Sequence, residues 1–186
     1  GAEDVTIIGV SLGGELCMRA AAMEPRIRRV VSWSVLPSIY GALMADKPAE
    51  IRAKLEHWLD ENNRDAILDL YAGLAEREPL FRWSIQHSNY AYGTSDVYEY
   101  LQKARAFTIE PVAERITQDV LLLSAREDLL VDFALYKQEI DLLKNTRSLE
   151  FAAPGRALNG RAHCNMGNTR YMLDLILNWN DRILGQ

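Results

Sequence analysis

The sequence predicts an α/β fold in which helices flank a parallel sheet of about four strands. The first observation is a strand rich in β-branched residues, 5–10, which turns at Ser11 and passes directly into an Ala-rich helix. The second is a short apolar strand, 30–34, after that helix, because strand, helix and strand in so short a span form a parallel crossover unit. The third is the return of buried strands at 119–124 and 148–152, beyond a long helical stretch.

Composition limits the classes of partner. The chain has 186 residues and a formal net charge of −5, with acidic and basic residues interspersed. The sequence lacks the basic patch that nucleic-acid binding requires, so we expect no nucleic-acid partner. No apolar run approaches the length of a membrane span, and no charged-then-apolar leader precedes the first strand. We therefore expect no membrane partner and a cytoplasmic location.

Cysteine content and motif spacing argue against a metal or a cofactor. Cys17 lies in the first helix and Cys164 beside a histidine, and two cysteines are too few for a disulfide framework. Both are expected as reduced thiols. No cluster of His, Cys and Asp has the spacing of metal ligands, and the glycine turn lacks the lysine of a phosphate loop. The sequence therefore predicts no metal and no cofactor.

The turn between the first strand and the first helix reads Gly9-Val10-Ser11-Leu12-Gly13. A G-x-S-x-G pattern between a strand and a helix is typical of a nucleophile elbow, which lifts the serine hydroxyl clear of the sheet. We expect the glycines at 9 and 13 to allow the close approach of strand and helix. The Leu12 N–H would then point to the place where an oxyanion forms. The alternative is an ordinary strand–helix junction whose small residues serve packing.

Residues 36–114 are mostly helical in pattern and unusually aromatic, and they separate two core segments, 1–35 and 115–186. We expect this insertion to be a helical lid, because ligands of parallel sheets bind at the strand ends where it is inserted. The segment 88–93 is expected to be a turn-rich loop. In the alternative interpretation the aromatic residues fill the core of a small helical subdomain. The predicted substrate-binding residues are Trp33, Tyr40, Trp83, Tyr90 and Tyr92.

Two later loops carry the other residues of a candidate triad. Asp128 follows the third strand, and His163 follows the fourth strand. A serine is a poor nucleophile until a base takes its proton, and a carboxylate can hold the imidazole of that base in one tautomer. Because the carboxyl ends of parallel strands share one edge of the sheet, we expect Ser11, Asp128 and His163 to converge there.

Each of these assignments has alternatives in the sequence. Glu127 or Asp132 could take the place of Asp128, whereas His57 and His87 lie in the insertion and fit a catalytic base less well. The segment 153–162, which leads to His163, contains proline, glycine and asparagine and is expected to be a mobile, poorly tethered loop.

The order Ser11, Asp128, His163 is that of the α/β-hydrolases. The stretch Val-Ser-Leu-Gly-Gly followed by an Arg-Ala-Ala-Ala helix, and the stretch His-Cys-Asn-Met-Gly-Asn at 163–168, resemble a narrower group. This is the dihydroxypseudooxynicotine hydrolase-like and fermentation-respiration-switch-like group, whose members are often dipeptidyl aminopeptidase-like or esterase-like. The resemblance covers nearly the whole chain. It implies that Ser11 is the nucleophile, Asp128 the orienting acid and His163 the base.

Members of this superfamily carry further strands before the elbow, including a loop that donates a second oxyanion N–H. The sequence begins close to its first strand, so the resemblance implies the C-terminal part of an α/β-hydrolase fold with a helical lid insertion. We therefore expect an unpaired strand edge at 5–10, which is a template for association. The expected partner is a second copy of the chain or the missing N-terminal segment.

The leading functional hypothesis is a serine hydrolase that cleaves an ester, an amide or an activated C–C bond of a small, partly aromatic substrate. The alternative is a catalytically incomplete fragment or pseudo-hydrolase, which acts through association at the edge of the strand 5–10.

Overall fold

The computed structural model describes residues 2–185. Among these residues four strands form one parallel sheet in the spatial order β1-β2-β3-β4, which confirms the predicted fold class. Because the strands run in the same direction, the loops that begin at their carboxyl ends lie along one edge of the sheet. The strands are β1 (Val5–Val10), β2 (Ile27–Trp33), β3 (Asp119–Leu123) and β4 (Ser148–Ala152).

Strand β2 begins at Ile27, earlier than the predicted start at residue 30. The early part of the strand contains two arginines, which are unusual in a buried strand. Arg29 is only 6% exposed, and its guanidinium donates hydrogen bonds to the Asp4 carboxylate and the Thr6 hydroxyl. These partners satisfy the buried charge, so the strand continues through a polar stretch that hydrophobic patterning alone would exclude.

The described residues also form eight α-helices, and none of these is both long and apolar enough to span a membrane. Helix α7 begins later than the expected residue 133, because the Asp132 carboxylate accepts the Ala134 N–H at 2.8 Å and holds that segment in a turn. The helices are α1 (Leu12–Met23), α2 (Ile39–Ala45), α3 (Ala49–Asp60), α4 (Arg64–Arg77), α5 (Pro79–Tyr92), α6 (Val97–Ala104), α7 (Leu135–Leu142) and α8 (Thr169–Leu184).

Successive residues of the central strands serve two hydrophobic cores, one on each face of the sheet. On one face, Val30 and Val120 pack in a cluster that includes Met18 of α1. On the other face, Val31 and Leu121 pack in a cluster with Trp179 of α8. Helices therefore cover both faces of the sheet, as the sequence predicts.

The chain divides into two compact units. Asp46–Phe107, containing α3 to α6, forms the helical unit, whose buried side chains include Leu55, Ile67 and Leu101. The other described residues form the sheet unit. Residues 36–45 and 108–114, which the sequence assigns to the insertion, fall in the sheet unit, where Ser38 and Thr108 form an isolated antiparallel bridge.

The segment 88–93 is not a loop, which corrects the prediction from sequence. Helix α5 continues through Tyr90 to Tyr92 and ends at Gly93, whose left-handed φ of 61° closes the helix. Ser88 and Asn89 favour turns only weakly against an established helix, whereas a glycine in the left-handed region is a strong stop. Gly93 is therefore the residue that ends the helix, and Ser88 and Asn89 belong to α5.

The strand–helix elbow depends on two glycines that differ in part from the predicted pair. A Cβ on Gly9 would lie 1.8 Å from the Gly13 carbonyl oxygen, so β1 and α1 touch through backbone there. A Cβ on Gly14 would lie 2.4 Å from the Ser34 carbonyl oxygen. At Gly13 itself, a Cβ would meet nothing within 4 Å apart from its chain neighbours and the backbone of its own helix. The space for close packing is therefore required at positions 9 and 14, and the expectation for Gly13 is wrong.

Replacing Gly14 with Ala should lower the free energy of unfolding by about 1–3 kcal/mol, because the added methyl would overlap the Ser34 carbonyl. Gly13→Ala is the matched control. It adds the same methyl in open space and should be neutral or stabilising by up to about 1 kcal/mol, since alanine favours helices over glycine. Chemical denaturation measures both variants, and equal losses at the two positions would contradict the packing argument.

Candidate active site

Ser11 lies at the sharp turn between β1 and α1. Its backbone has φ 56° and ψ −122°, a positive φ that is rare for a residue other than glycine. The Ser11 N–H donates to the Trp33 carbonyl at 2.6 Å, and its own carbonyl accepts the Gly14 N–H at 2.8 Å. These backbone bonds hold the turn, so the hydroxyl projects from the carboxyl-terminal edge of the sheet.

The structure brings together the three residues that the sequence assigns to a triad. The Ser11 Oγ lies 2.8 Å from His163 Nε2, and His163 Nδ1 lies 2.8 Å from Asp128 Oδ2. The imidazole is partly accessible, with 23% of its side chain exposed, whereas the Asp128 side chain is only 2% exposed. A hydroxyl, an imidazole and a buried carboxylate therefore form one continuous chain of hydrogen bonds.

The other acids of the same loop make different contacts. Glu127 forms hydrogen bonds of 2.5 and 2.9 Å with the Arg156 guanidinium, and the Asp132 carboxylate accepts the Ala134 N–H. Asp128 uses its second oxygen, Oδ1, to accept the N–H groups of Leu130 and Val131 at 2.8 and 3.0 Å. Asp128 is therefore the carboxylate that faces the imidazole, and the loop backbone fixes its orientation.

The electrostatics of the pair follow from these contacts. The hydrogen bond with Asp128, together with the neighbouring Cys164 thiol, holds the pKa of His163 well above its ordinary 6.5. Burial would raise the pKa of Asp128, but hydrogen bonds from His163 and from the Leu130 N–H outweigh burial and keep the pKa below its ordinary 3.8. Asp128 therefore stays ionised and stabilises the positive charge of a protonated His163.

The loop that leads to His163 is held by hydrogen bonds, in contrast to the poorly tethered segment predicted from sequence. The Arg161 carbonyl accepts the Glu127 N–H at 2.9 Å, which joins this loop to the loop of Asp128. The Asn168 side-chain amide donates to the Leu158 carbonyl at 2.9 Å. His163 then begins a short 3-10 helix, His163–Asn165. Glycine and asparagine content alone could not reveal these hydrogen bonds.

The remaining predicted site residues have different surroundings. Leu12 is the first residue of α1, so its N–H belongs to the first turn, where donors lack helical acceptors. Trp33 is 5% exposed, and Tyr40 lies on α2 in the sheet unit.

The other three predicted substrate-binding residues lie in the helical unit. Trp83 is 58% exposed and stacks on His87, and Tyr90 is 87% exposed. Tyr92 packs edge-on against Tyr100 and Phe107.

Two buried carboxyl groups in the sheet unit were not identified from the sequence. Glu15 of α1 is fully buried and Glu139 of α7 is 1% exposed. Arg19 bonds one oxygen of Glu15 at 3.2 Å, whereas neither Glu139 oxygen forms a hydrogen bond with a described residue. Glu139 is four residues from Leu135 and four from Leu143, both buried. This apolar helical spacing was the signal that could have identified it.

No three side chains of His, Cys, Asp or Glu cluster as they would around a metal ion in residues 2–185. Cys17 and Cys164 are both buried free thiols. The Cys164 sulfur lies 3.7 Å from the Ser34 hydroxyl and next in sequence to His163.

Known proteins are similar to this chain in sequence. Residues 1–159 match the family model described as alpha/beta hydrolase fold. "Hydrolase acrC" of Aspergillus aculeatus is 29% identical over 119 residues, which cover 57% of this chain and 27% of that protein. The chain spans about a quarter of the length of the curated relatives that it matches.

Solved structures agree at the level of the fold. The alpha/beta hydrolase GrgF from Penicillium sp. sh18 superposes with a TM-score of 0.60 at 14% identity, covering 98% of this chain and 64% of GrgF. The 2,6-dihydroxy-pseudo-oxynicotine hydrolase superposes with a TM-score of 0.56 at 16% identity, covering 94% of this chain and 39% of that enzyme. The family model covers residues 1–159, well over half of the chain, and the described strands form a parallel sheet. The chain therefore belongs to the α/β-hydrolase fold family.

Proposed function

We propose that this chain carries the nucleophile, base and acid of a serine hydrolase. The observation that supports this function best is the hydrogen-bonded series Ser11 Oγ, His163 Nε2 and Nδ1, and Asp128 Oδ2, with both separations at 2.8 Å. The positive φ at Ser11 adds to this support, because a strained turn at the serine is the backbone feature that a nucleophile elbow requires.

The proposed reaction begins when Ser11 Oγ attacks the carbonyl carbon of the substrate and its proton passes to His163 Nε2. The Leu12 N–H donates to the oxyanion that forms on the carbonyl oxygen. The protonated imidazole, stabilised by Asp128, then gives the proton to the leaving group as the carbonyl reforms. Water, deprotonated by His163, attacks the acyl-enzyme next, and the proton returns to Ser11 as the ester bond to the serine breaks.

The substrate class in this proposal is a small, partly aromatic molecule with an ester, an amide or an activated C–C bond. These bonds can be cleaved by the same three residues. Exposed aromatic side chains support the aromatic preference, since Trp83 and Tyr90 are open to solvent within the helical unit. In the proposal this unit acts as a lid, and Trp33, Tyr40 and Tyr92 complete the set of candidate substrate-binding residues.

A fluorophosphonate probe tests the proposed nucleophile. The folded protein should be phosphonylated at Ser11, and Ser11→Ala should abolish labelling while leaving the fold intact by circular dichroism. Ser84→Ala is the matched control, because Ser84 lies in the helical unit and donates to the Phe81 carbonyl at 2.7 Å. Equal labelling of the Ser11→Ala variant, or no labelling of the folded wild type, would overturn the proposal.

A second candidate function is association without catalysis. Strand β1 is the first strand in the spatial order of the described sheet, and Ile8 and Val10 on it are 45% and 49% exposed. An apolar outer strand can pair with another chain, so we also propose a partner along β1, either a second copy or an N-terminal segment of the hydrolase fold. Hydrolysis by the purified chain that Ser11→Ala abolishes would favour the enzyme over this alternative.

A further inference from the structure

The histidine loop is joined to the ends of two strands, β2 and β3, through one buried side chain, that of Asn165. This residue is 1% exposed and lies two positions after His163. Its Oδ1 accepts the indole N–H of Trp33 at 3.0 Å. Its Nδ2 donates to the Ser124 carbonyl at 3.0 Å and to the Gly160 carbonyl at 2.6 Å. The amide therefore uses both of its N–H donors and its oxygen in buried hydrogen bonds.

The partners of Asn165 are placed where they control the geometry of the triad. Trp33 is the last residue of β2, and its backbone carbonyl accepts the Ser11 N–H at 2.6 Å. One residue thus contacts the nucleophile through its backbone and the histidine loop through its indole. Ser124 directly follows β3, whereas Gly160 belongs to the loop before His163.

From this arrangement we propose that Asn165, together with Trp33, is a positioning residue that sets the separation between Ser11 Oγ and His163 Nε2. The inference rests on the proposed hydrolase function, because it assigns Asn165 and Trp33 an effect on the proposed base. Neither side chain donates to or accepts from Ser11 Oγ or the imidazole, so the effect passes through the loop backbone. A buried network in which every polar group has a hydrogen-bond partner favours a single geometry of the loop. Apolar contacts would tolerate several loop geometries.

The backbone of Asn165 supports this role and suggests a clean variant. Its φ is 53°, in the left-handed region that glycine and asparagine adopt readily. Asn165→Gly therefore removes the three side-chain hydrogen bonds and leaves the backbone conformation accessible. Asn159 provides the matched control, because it has the same φ of 53°, lies exposed in the same loop and makes no side-chain hydrogen bond with a described residue.

The test combines two measurements on Asn165→Gly, Asn159→Gly and the wild type, below the melting temperature of each. The first is the rate of Ser11 phosphonylation, which should fall about tenfold to a hundredfold in Asn165→Gly and stay within about twofold in Asn159→Gly. The second is the pKa of His163 by NMR titration of labelled histidines, assigned with His163→Gln. In Asn165→Gly the loosened contact with Asp128 should bring this pKa down toward 6.5, while the signals of the other histidines stay unchanged.

Trp33→Phe provides a second route if Asn165→Gly fails to fold. It keeps an aromatic ring but removes the indole N–H, so it should lower the phosphonylation rate and the His163 pKa in the same direction. If the variants lose thermal stability but keep the wild-type phosphonylation rate and His163 pKa, Asn165 and Trp33 form only a structural contact. That result would overturn the inference. Failure of the wild type to react with the probe would overturn the proposed hydrolase instead, and the His163 pKa would still decide whether Asn165 positions the imidazole.

Discussion

Replacing Asp128 with Asn should slow the phosphonylation of Ser11 by about three to four orders of magnitude. The reason lies in the second oxygen of this side chain. Asp128 Oδ1 accepts the N–H groups of Leu130 and Val131, so in the variant the amide oxygen will keep these donors. The amide NH₂ then faces His163 Nδ1 in place of the carboxylate oxygen that lies there at 2.8 Å.

An NH₂ group in that position must donate to Nδ1, which forces the imidazole proton onto Nε2. Because Nε2 is the atom that faces Ser11 Oγ at 2.8 Å, the lone pair that should accept the serine proton is lost. The variant also lacks the carboxylate that raises the pKa of His163, so this pKa should fall below its wild-type value. The substitution therefore changes both the tautomer of His163 and the stability of its protonated form.

Asp132→Asn is the matched control for this prediction. Asp132 lies in the same loop and accepts one backbone N–H, from Ala134 at 2.8 Å, a role that an amide oxygen can keep. Its phosphonylation rate should stay within about twofold of the wild type, since neither the charge nor the tautomer of His163 is touched. A loss of less than about tenfold in Asp128→Asn, with the fold unchanged, would show that the His163 tautomer does not depend on Asp128.

Replacing Glu139 with Gln should raise the free energy of unfolding by roughly 3–5 kcal/mol at pH 8. Burial, reinforced by the nearby carboxyl group of Glu15, raises the pKa of Glu139 to about 8. The folded state therefore holds a proton on Glu139 at pH values where the unfolded state has released it. Glutamine has nearly the same shape as the neutral carboxylic acid, and it needs no bound proton to be neutral.

The sign of the pH dependence follows from linkage. The pKa of Glu139 is higher in the folded protein than the ordinary 4.5, so the folded state binds more protons between pH 4.5 and about 8. Wild-type stability should then decrease as pH rises through this window, by up to about 1.4 kcal/mol per unit. The groups that face Glu139 from α1 are Glu15, itself paired with Arg19, and Cys17, whose pKa burial raises to about 12.

Chemical denaturation at pH 5 and pH 8 measures this effect. The gain from Glu139→Gln should be small at pH 5 and largest at pH 8, whereas Asp141→Asn, an exposed acid on the same helix, should change little at either pH. A gain that is equal at both pH values would mean that Glu139 does not hold a proton in the folded state. A large loss at both would mean that its carboxyl group makes a contact that glutamine cannot replace.

The sequence was sufficient for the fold class and for naming Ser11, Asp128 and His163 as candidates, with Glu127 and Asp132 left as alternatives to Asp128. Parallel strands of β-branched residues, separated by a helix, permit few arrangements, and Ser11 occupies a motif whose turn geometry is local. Asp128 and His163 were identifiable because residues that follow parallel strands gather at one edge of the sheet. Each of these inferences depends on neighbours along the chain or on a general rule of sheet topology.

Features that depend on contacts between distant segments were decided only by the tertiary structure. The choice of Asp128 over Glu127 came from the direction in which the loop backbone turns each carboxylate, and the need for glycine at 14 came from the Ser34 carbonyl. The joining of Trp33 to Asn165 spans 132 residues, and the burial of Glu139 depends on the packing of α7. A hydrogen bond or a buried ion pair forms only when two groups lie at the right distance from each other. The sequence names the residues but does not give the distance between them.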